Sequence, residues 1–128
     1  MTLHAFTAYI KYRLKAKSRH GIHSPFVYAF IDNCLGKKSK NSLEQRINEY
    51  FGGAIKWVHI GAEIILGDSL VVIGVKGIHA SKEDTVAWNN MKTNMASFKI
   101  TIDLYHIGLL VYNPDVKEKQ HFVLKYPL

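Results

Sequence analysis

Histidine is the residue type of widest chemical reach in this chain, and seven of them are spread along its 128 residues. His79 stands just beyond an apolar, β-branched run at 69–75 that reads as a strand covered on both faces. The carboxyl end of such a strand is where open α/β sheets take their ligands, so His79 is a candidate catalytic residue, as general base. His20 and His23 form an HxxH pair across a turn at Gly21. Two imidazoles could share a metal, but no cysteine or further carboxylate lies nearby in sequence, and the pair reads as turn histidines. Asp103, Tyr105 and His106 fall in a short connection between two apolar segments, where the aspartate's expected role is to form the turn. Cys34, flanked by Phe30, Ile31 and Leu35, reads as a core thiol; as the only cysteine it excludes an internal disulfide. No Walker-type loop, zinc-protease motif or Gly-x-Ser-x-Gly elbow is present. Met91 and Met95, at helical spacing, belong to a core face.

Charge is concentrated at one end. The formal net charge is +7, and residues 1–40 carry eight bases against the single acid Asp32, while residues 41–128 are neutral in sum. A solvated helix face is one reading of this asymmetry, and an anionic partner is the other, with Lys11, Lys15, Lys37 and Lys38 as its contacts. If the partner is a nucleic acid, Tyr9, Tyr12, Phe26 and Tyr28 are the candidate stacking groups. Hydrophobic content of 48% and charged content of 21% are those of an ordinary globular domain. No apolar run approaches the roughly 20 residues of a spanning helix, and no secretory leader is recognisable. A cytoplasmic location is the resulting expectation.

The elements that must position these residues can be read in order. A helix over 3–17, capped by Thr2, carries an apolar stripe of Leu3, Phe6, Ile10 and Leu14 that is expected to dock on its own domain. Ser24 and Pro25 start a second helix, with Gly36 as its expected left-handed terminator. Residues 37–41 read as a flexible basic connection. Ser42 caps a third helix that ends at Gly52-Gly53. A strand follows at 54–60, and the segment AEIILGD has no assignment. After the 69–75 strand, Ser81 and Asp84 form a near capping box for a helix whose Ala87, Trp88, Met91 and Met95 face a sheet. The next strand begins near Phe98, which gives a βαβ crossover. SFKITIDLY and HIGLLVYN then form a tight antiparallel hairpin, Asn113-Pro114-Asp115 a turn, and HFVLKY an edge strand with Lys119, His121 and Lys125 guarding it. The fold class is α/β: one domain, with a basic helical segment at 1–40 and N-terminal helices packed on a small mixed sheet.

The segment KYRLKAKSRHGIHSPFVYAF, centred on His23-Ser24-Pro25-Phe26, resembles the opening of a family of bacterial class I S-adenosylmethionine-dependent methyltransferases common among Bacteroidetes. IHASKEDTVAW, FKITIDLYHIGLLVYN and QHFVLKY resemble that family's last strands and the helix between them, in the family's order. The resemblance implies a doubly wound Rossmann-like sheet and an S-adenosylmethionine site beyond the carboxyl ends of its first strands. It places the cofactor turn at His59-Ile60-Gly61-Ala62-Glu63, with Gly61 and Glu63 as cofactor-binding candidates. His59 stands where the family would have an acid, no ribose-binding acid follows, and Lys76 and Gly77 replace acids at the later strand end. Fewer than 30 residues separate Lys40 from Ser69. They accommodate one helix and one strand, not three strand–helix units. By the same resemblance, His79 ties its loop to the following helix start.

The chain therefore reads as a truncated methyltransferase-like protein that has lost cofactor-dependent catalysis. Its expected role is that of an interaction or scaffold module, as a homo-oligomer or with a protein partner and with no cofactor. The alternatives are an active methyltransferase using S-adenosylmethionine at an atypical or shared site, and a nucleic-acid-binding module working through the basic segment.

Overall fold

Each described helix with a free amino end begins at a hydroxyl residue whose side chain accepts a hydrogen bond from an otherwise orphaned amide. The computed structural model describes residues 2–16, 24–62 and 72–127, the side chains of Leu14 and Lys15 excepted. Thr2 caps α1 (Leu3–Lys15) through Ala5 N–H at 3.0 Å. Ser24 caps α2 (Pro25–Phe30), which runs on as a π-helical turn, Ile31–Leu35. Ser42 and Gln45 make a full reciprocal capping box on α3 (Leu43–Phe51). Ser81 accepts from Asp84 N–H at 3.0 Å to open α4 (Lys82–Asn94).

The strands are β1 (Ile55–His59), β2 (Val72–Lys76), β3 (Ile100–Asp103), β4 (Ile107–Val111) and β5 (Gln120–Val123). They form one mixed sheet in the order β1-β2-β4-β3-β5. β1 pairs parallel with β2 and β3 parallel with β5, while β4 runs antiparallel to both β2 and β3. The expected crossover is therefore split: β2, α4 and β3 run strand–helix–strand with β2 and β3 parallel, and the hairpin folds β4 back into the gap between them. All five β4 residues are buried, because that strand is paired on both edges and covered on both faces.

One face carries Val72, Ile100, Ile102, Leu109 and Val111 beneath Val27, Phe30, Ile31 and Leu35 of the α2 segment and Ile47 of α3. The other carries Val58, Ile73, Val75 and Leu110 beneath Trp88 of α4, with Ala87, Met91 and Met95 alongside. Each face has one tryptophan seated on a glycine. Trp57 lies over Gly74, its register partner, and Trp88 over Gly108; a Cβ at either glycine would stand 2.5 Å from a ring atom. Lys119 at the β5 edge donates to the Lys92 and Met95 carbonyls and so closes the carboxyl end of α4.

Three expectations need correcting. The α1 stripe does not dock: Leu3, Phe6 and Ile10 are 83%, 55% and 44% exposed. The docked face is instead Ala5, Ala8, Tyr9, Tyr12 and Ala16, packed on Tyr105 and Val123. The alanines allow close approach, and the phenols of Tyr12 and Tyr105 reach the Leu124 and Ala5 carbonyls, which the bulkier stripe could not do. Gly36 is not left-handed (φ −85°); its N–H bonds to Ile31 five residues back and closes the π turn. The 37–41 connection is held by Arg46, whose guanidinium donates to the Leu35, Lys37, Ser39 and Asn41 carbonyls. The AEIILGD segment apart from Ala62, and the start of the 69–75 strand, lie outside the described residues.

Gly108→Ala is expected to lower unfolding free energy in urea by about 1–3 kcal/mol, since the new methyl drives Trp88 from its seat. Gly53→Ala, whose added methyl meets nothing within 4 Å, should change stability by less than about 0.5 kcal/mol.

Candidate functional site

The hairpin between β3 and β4 turns on Tyr105, the one non-glycine residue at positive φ (+71°) among those described. Its N–H bonds at 2.8 Å to Asp103 Oδ1, so the aspartate forms the turn, as its type and place imply. The other carboxylate oxygen faces inward. Asp103 Oδ2 accepts from His79 Nε2 at 2.7 Å and from the Trp88 indole N–H at 3.3 Å. Asp103 is 7% exposed, and three donors satisfy its charge in place of water. His79 reaches it from the loop after β2, where Gly77 at φ +81° lets the chain turn back. The imidazole stacks on the Tyr105 ring at 5.6 Å.

With its Nε2 proton on Asp103, His79 has Nδ1 to accept from the Thr85 hydroxyl at 3.0 Å. The Thr85 oxygen accepts in turn from His4 Nε2 at 3.1 Å. Asp103, His79, Thr85 and His4 are thus one hydrogen-bonded chain linking β3, the β2–α4 loop, α4 and α1. The order Thr85–His79–Asp103 is that of a nucleophile, base and orienting acid. His4, however, occupies the outer side of the Thr85 oxygen, and the Thr85 amide is bonded to the Ser81 carbonyl. The chain of bonds ties β3, the β2–α4 loop, α4 and α1 to one another.

The network lines one end of a crevice of about 300 Å³ between α1 and α4, floored by Asp103 and Val123. His4, Thr7 and Lys11 face it from α1, and Thr85, Asn89 and Lys92 from α4. Of the residues singled out from sequence, His79, Asp103, Lys11 and Tyr12 are brought to this one place. Lys37 and Lys38 line a separate cavity of about 290 Å³ with Cys34, Arg46 and Glu49. Gly61 follows β1 at φ +86°. Glu63 and the His20/His23 pair lie outside the described residues, as does the Lys15 side chain.

The aromatic candidates for base stacking face inward to differing degrees. Tyr12 is buried, Tyr9 packs edge-on against Tyr105, and Phe26 stacks on Phe51. At the carboxyl ends of the parallel pair, the His59 ring lies against Gly77. Lys76 there pairs with Glu44 at 3.2 Å. Among the described residues no three His, Cys, Asp or Glu side chains cluster to hold a metal, and no helix is long and apolar enough to cross a membrane.

Sequence reasoning missed His4, Thr85, Asn89 and Lys92. Their signal was present as two polar stripes at i, i+3 or i+4, and i+7 spacing, but the apolar stripe of α1 masked the first of them. Comparisons with protein-family models, curated proteins and solved structures find no match to this chain.

Asp103→Ala is expected to cost about 3 kcal/mol in urea unfolding, because it strands three buried donors. Stability should also fall in alkali. Burial pushes the Tyr12 phenol from 10.0 up to about 12 and the Cys34 thiol from 9.0 up to about 11. Each releases its proton earlier in the unfolded chain, so this stability is full below about pH 9 and is lost between about pH 9 and 12. Thermal midpoints measured across that range check it, and a flat profile would contradict it.

Proposed function

We propose that this chain is a methyltransferase-like α/β module that no longer carries out S-adenosylmethionine-dependent methylation and works by association, with a second copy of itself as partner. The observation that carries the reading is strand order. Open α/β sheets bind nucleotide cofactors where the order of their parallel strands reverses. Here the parallel strands run β1, β2, β3, β5 along the sheet without a reversal, interrupted only by antiparallel β4. Such a sheet has no switch-point crevice among its described strands. The ends of β1 and β2 support the same reading: an imidazole and an ammonium stand where the resemblance leads one to expect acids, and the His59 ring packs against Gly77.

What the fold presents in place of a cofactor crevice is surface. Leu3, Phe6 and Ile10 form an exposed apolar stripe on α1, and the outer edge of β1 has no strand partner among the described residues. An isologous contact in which two α1 helices lay their stripes together would bury both at once.

Thermal unfolding with roughly millimolar S-adenosylmethionine or S-adenosylhomocysteine should leave the midpoint in place. A ligand at ~100 times its dissociation constant would add about 2.7 kcal/mol, so a clear shift would return the chain to the active methyltransferases. Light scattering should give twice the 14.6 kDa chain mass, reduced to one chain by Phe6→Glu. A wild-type monomer would end the association reading.

A further inference from the structure

We propose that the crevice between α1 and α4 is a binding site for a small phosphate-bearing anion. Its walls are two matched polar stripes. His4, Thr7 and Lys11 recur at i, i+3 and i+7 on α1, and Thr85, Asn89 and Lys92 at i, i+4 and i+7 on α4. Helical geometry puts each set on a single face, and the crevice is where the two faces meet. At one end they are joined by the His4–Thr85 hydrogen bond. The other end is set by Lys11 and Lys92, two like charges brought to one hollow.

The only carboxylate in the lining, Asp103, is already satisfied by His79, Trp88 and the Tyr105 amide. These bonds fix its position, and in the lining its single charge is outnumbered by the two ammonium groups. The result is a hollow with excess positive charge between low-dielectric walls, which concentrates anions. The Lys92 ammonium is also held at 5.6 Å from the centre of the Trp88 ring, so it is positioned rather than loose.

The donor types fit phosphate. Lysines bind it as point charges, while the Asn89 amide supplies a directed hydrogen bond from the α4 wall. A volume of about 300 Å³ is at the small end of ligand pockets and suits inorganic phosphate or a compact phosphate monoester. The Val123 and Ala8 side chains give the carbon portion of an ester an apolar surface to rest on.

The test is calorimetric titration of the full chain near neutral pH and at fixed ionic strength, with inorganic phosphate and with glycerol phosphate as separate probes. Saturable single-site binding is expected, weakened about tenfold or more by Lys11→Gln. Lys37→Gln, which alters the other basic cavity, should leave the affinity unchanged. Both lysines are exposed, and equal unfolding midpoints will show that both variants fold. Tighter binding of glycerol phosphate would identify an ester as the ligand, and tighter binding of inorganic phosphate the free anion. Failure of both probes to saturate, or equal weakening by the two variants, would overturn the proposal. None of these outcomes depends on whether the chain associates.

Discussion

A buried carboxylate must find donors before the chain around it can close, and Asp103 finds them on three different elements. Its oxygens hold the Tyr105 amide of the hairpin, the Trp88 indole of α4 and the His79 imidazole of the β2–α4 loop. Through Thr85 and His4 the same set of bonds reaches α1. Removing water from a charge is expensive, so every arrangement that leaves one of these donors elsewhere is penalised. The hairpin, the crossover helix and the N-terminal helix are in this way made to agree on one geometry. Tyr105 reinforces that agreement: it makes the turn by its backbone, stacks on His79, and sends its hydroxyl to the Ala5 carbonyl.

The sheet's two faces obey a second constraint, set by glycine. Gly74 and Gly108 lie on adjacent strands and admit an indole on opposite faces. Trp57 lies flat on its register partner on the α3 side, with its N–H on Asn48 Oδ1 at 3.2 Å. Trp88 fills the other side and delivers its N–H to Asp103. The hydrophobic layer and the polar network therefore meet in one side chain. This makes the position of α4, and with it the α1–α4 crevice, a consequence of close packing as well as of hydrogen bonding.

The function argued from this structure follows from what the topology omits and what it exposes. Among the described strands the four parallel ones run without a reversal of order, which leaves no switch point of the dinucleotide type between them, and the carboxyl ends of β1 and β2 carry His59 and Lys76. The same fold turns an apolar helical stripe outward and gathers cationic and amide groups between two helices. The proposed association and the proposed anion site would use separate surfaces.

Local chemistry in the sequence was enough to determine the caps, the element types and much of the strand pattern. Ser24-Pro25, Ser42 with Gln45, and Ser81 with Asp84 mark helix starts because a hydroxyl beside orphaned amides acts within one turn. The run SFKITIDLY likewise identified a strand, and Asp103 its turn, although its alternation of apolar and polar residues implied a half-buried strand where the sheet buries all four residues of β3. Tertiary structure alone decided which face of α1 is buried, since two faces of that helix are apolar enough and only packing on Tyr105 and Val123 selects the alanine–tyrosine one. It also decided that β4 inserts between β2 and β3, because strand adjacency is a long-range choice that local periodicity does not encode. The union of His4, Thr85, His79 and Asp103 lay beyond reach for the same reason. Those residues are up to 99 positions apart, and only a shared, water-excluded site gives them a common role.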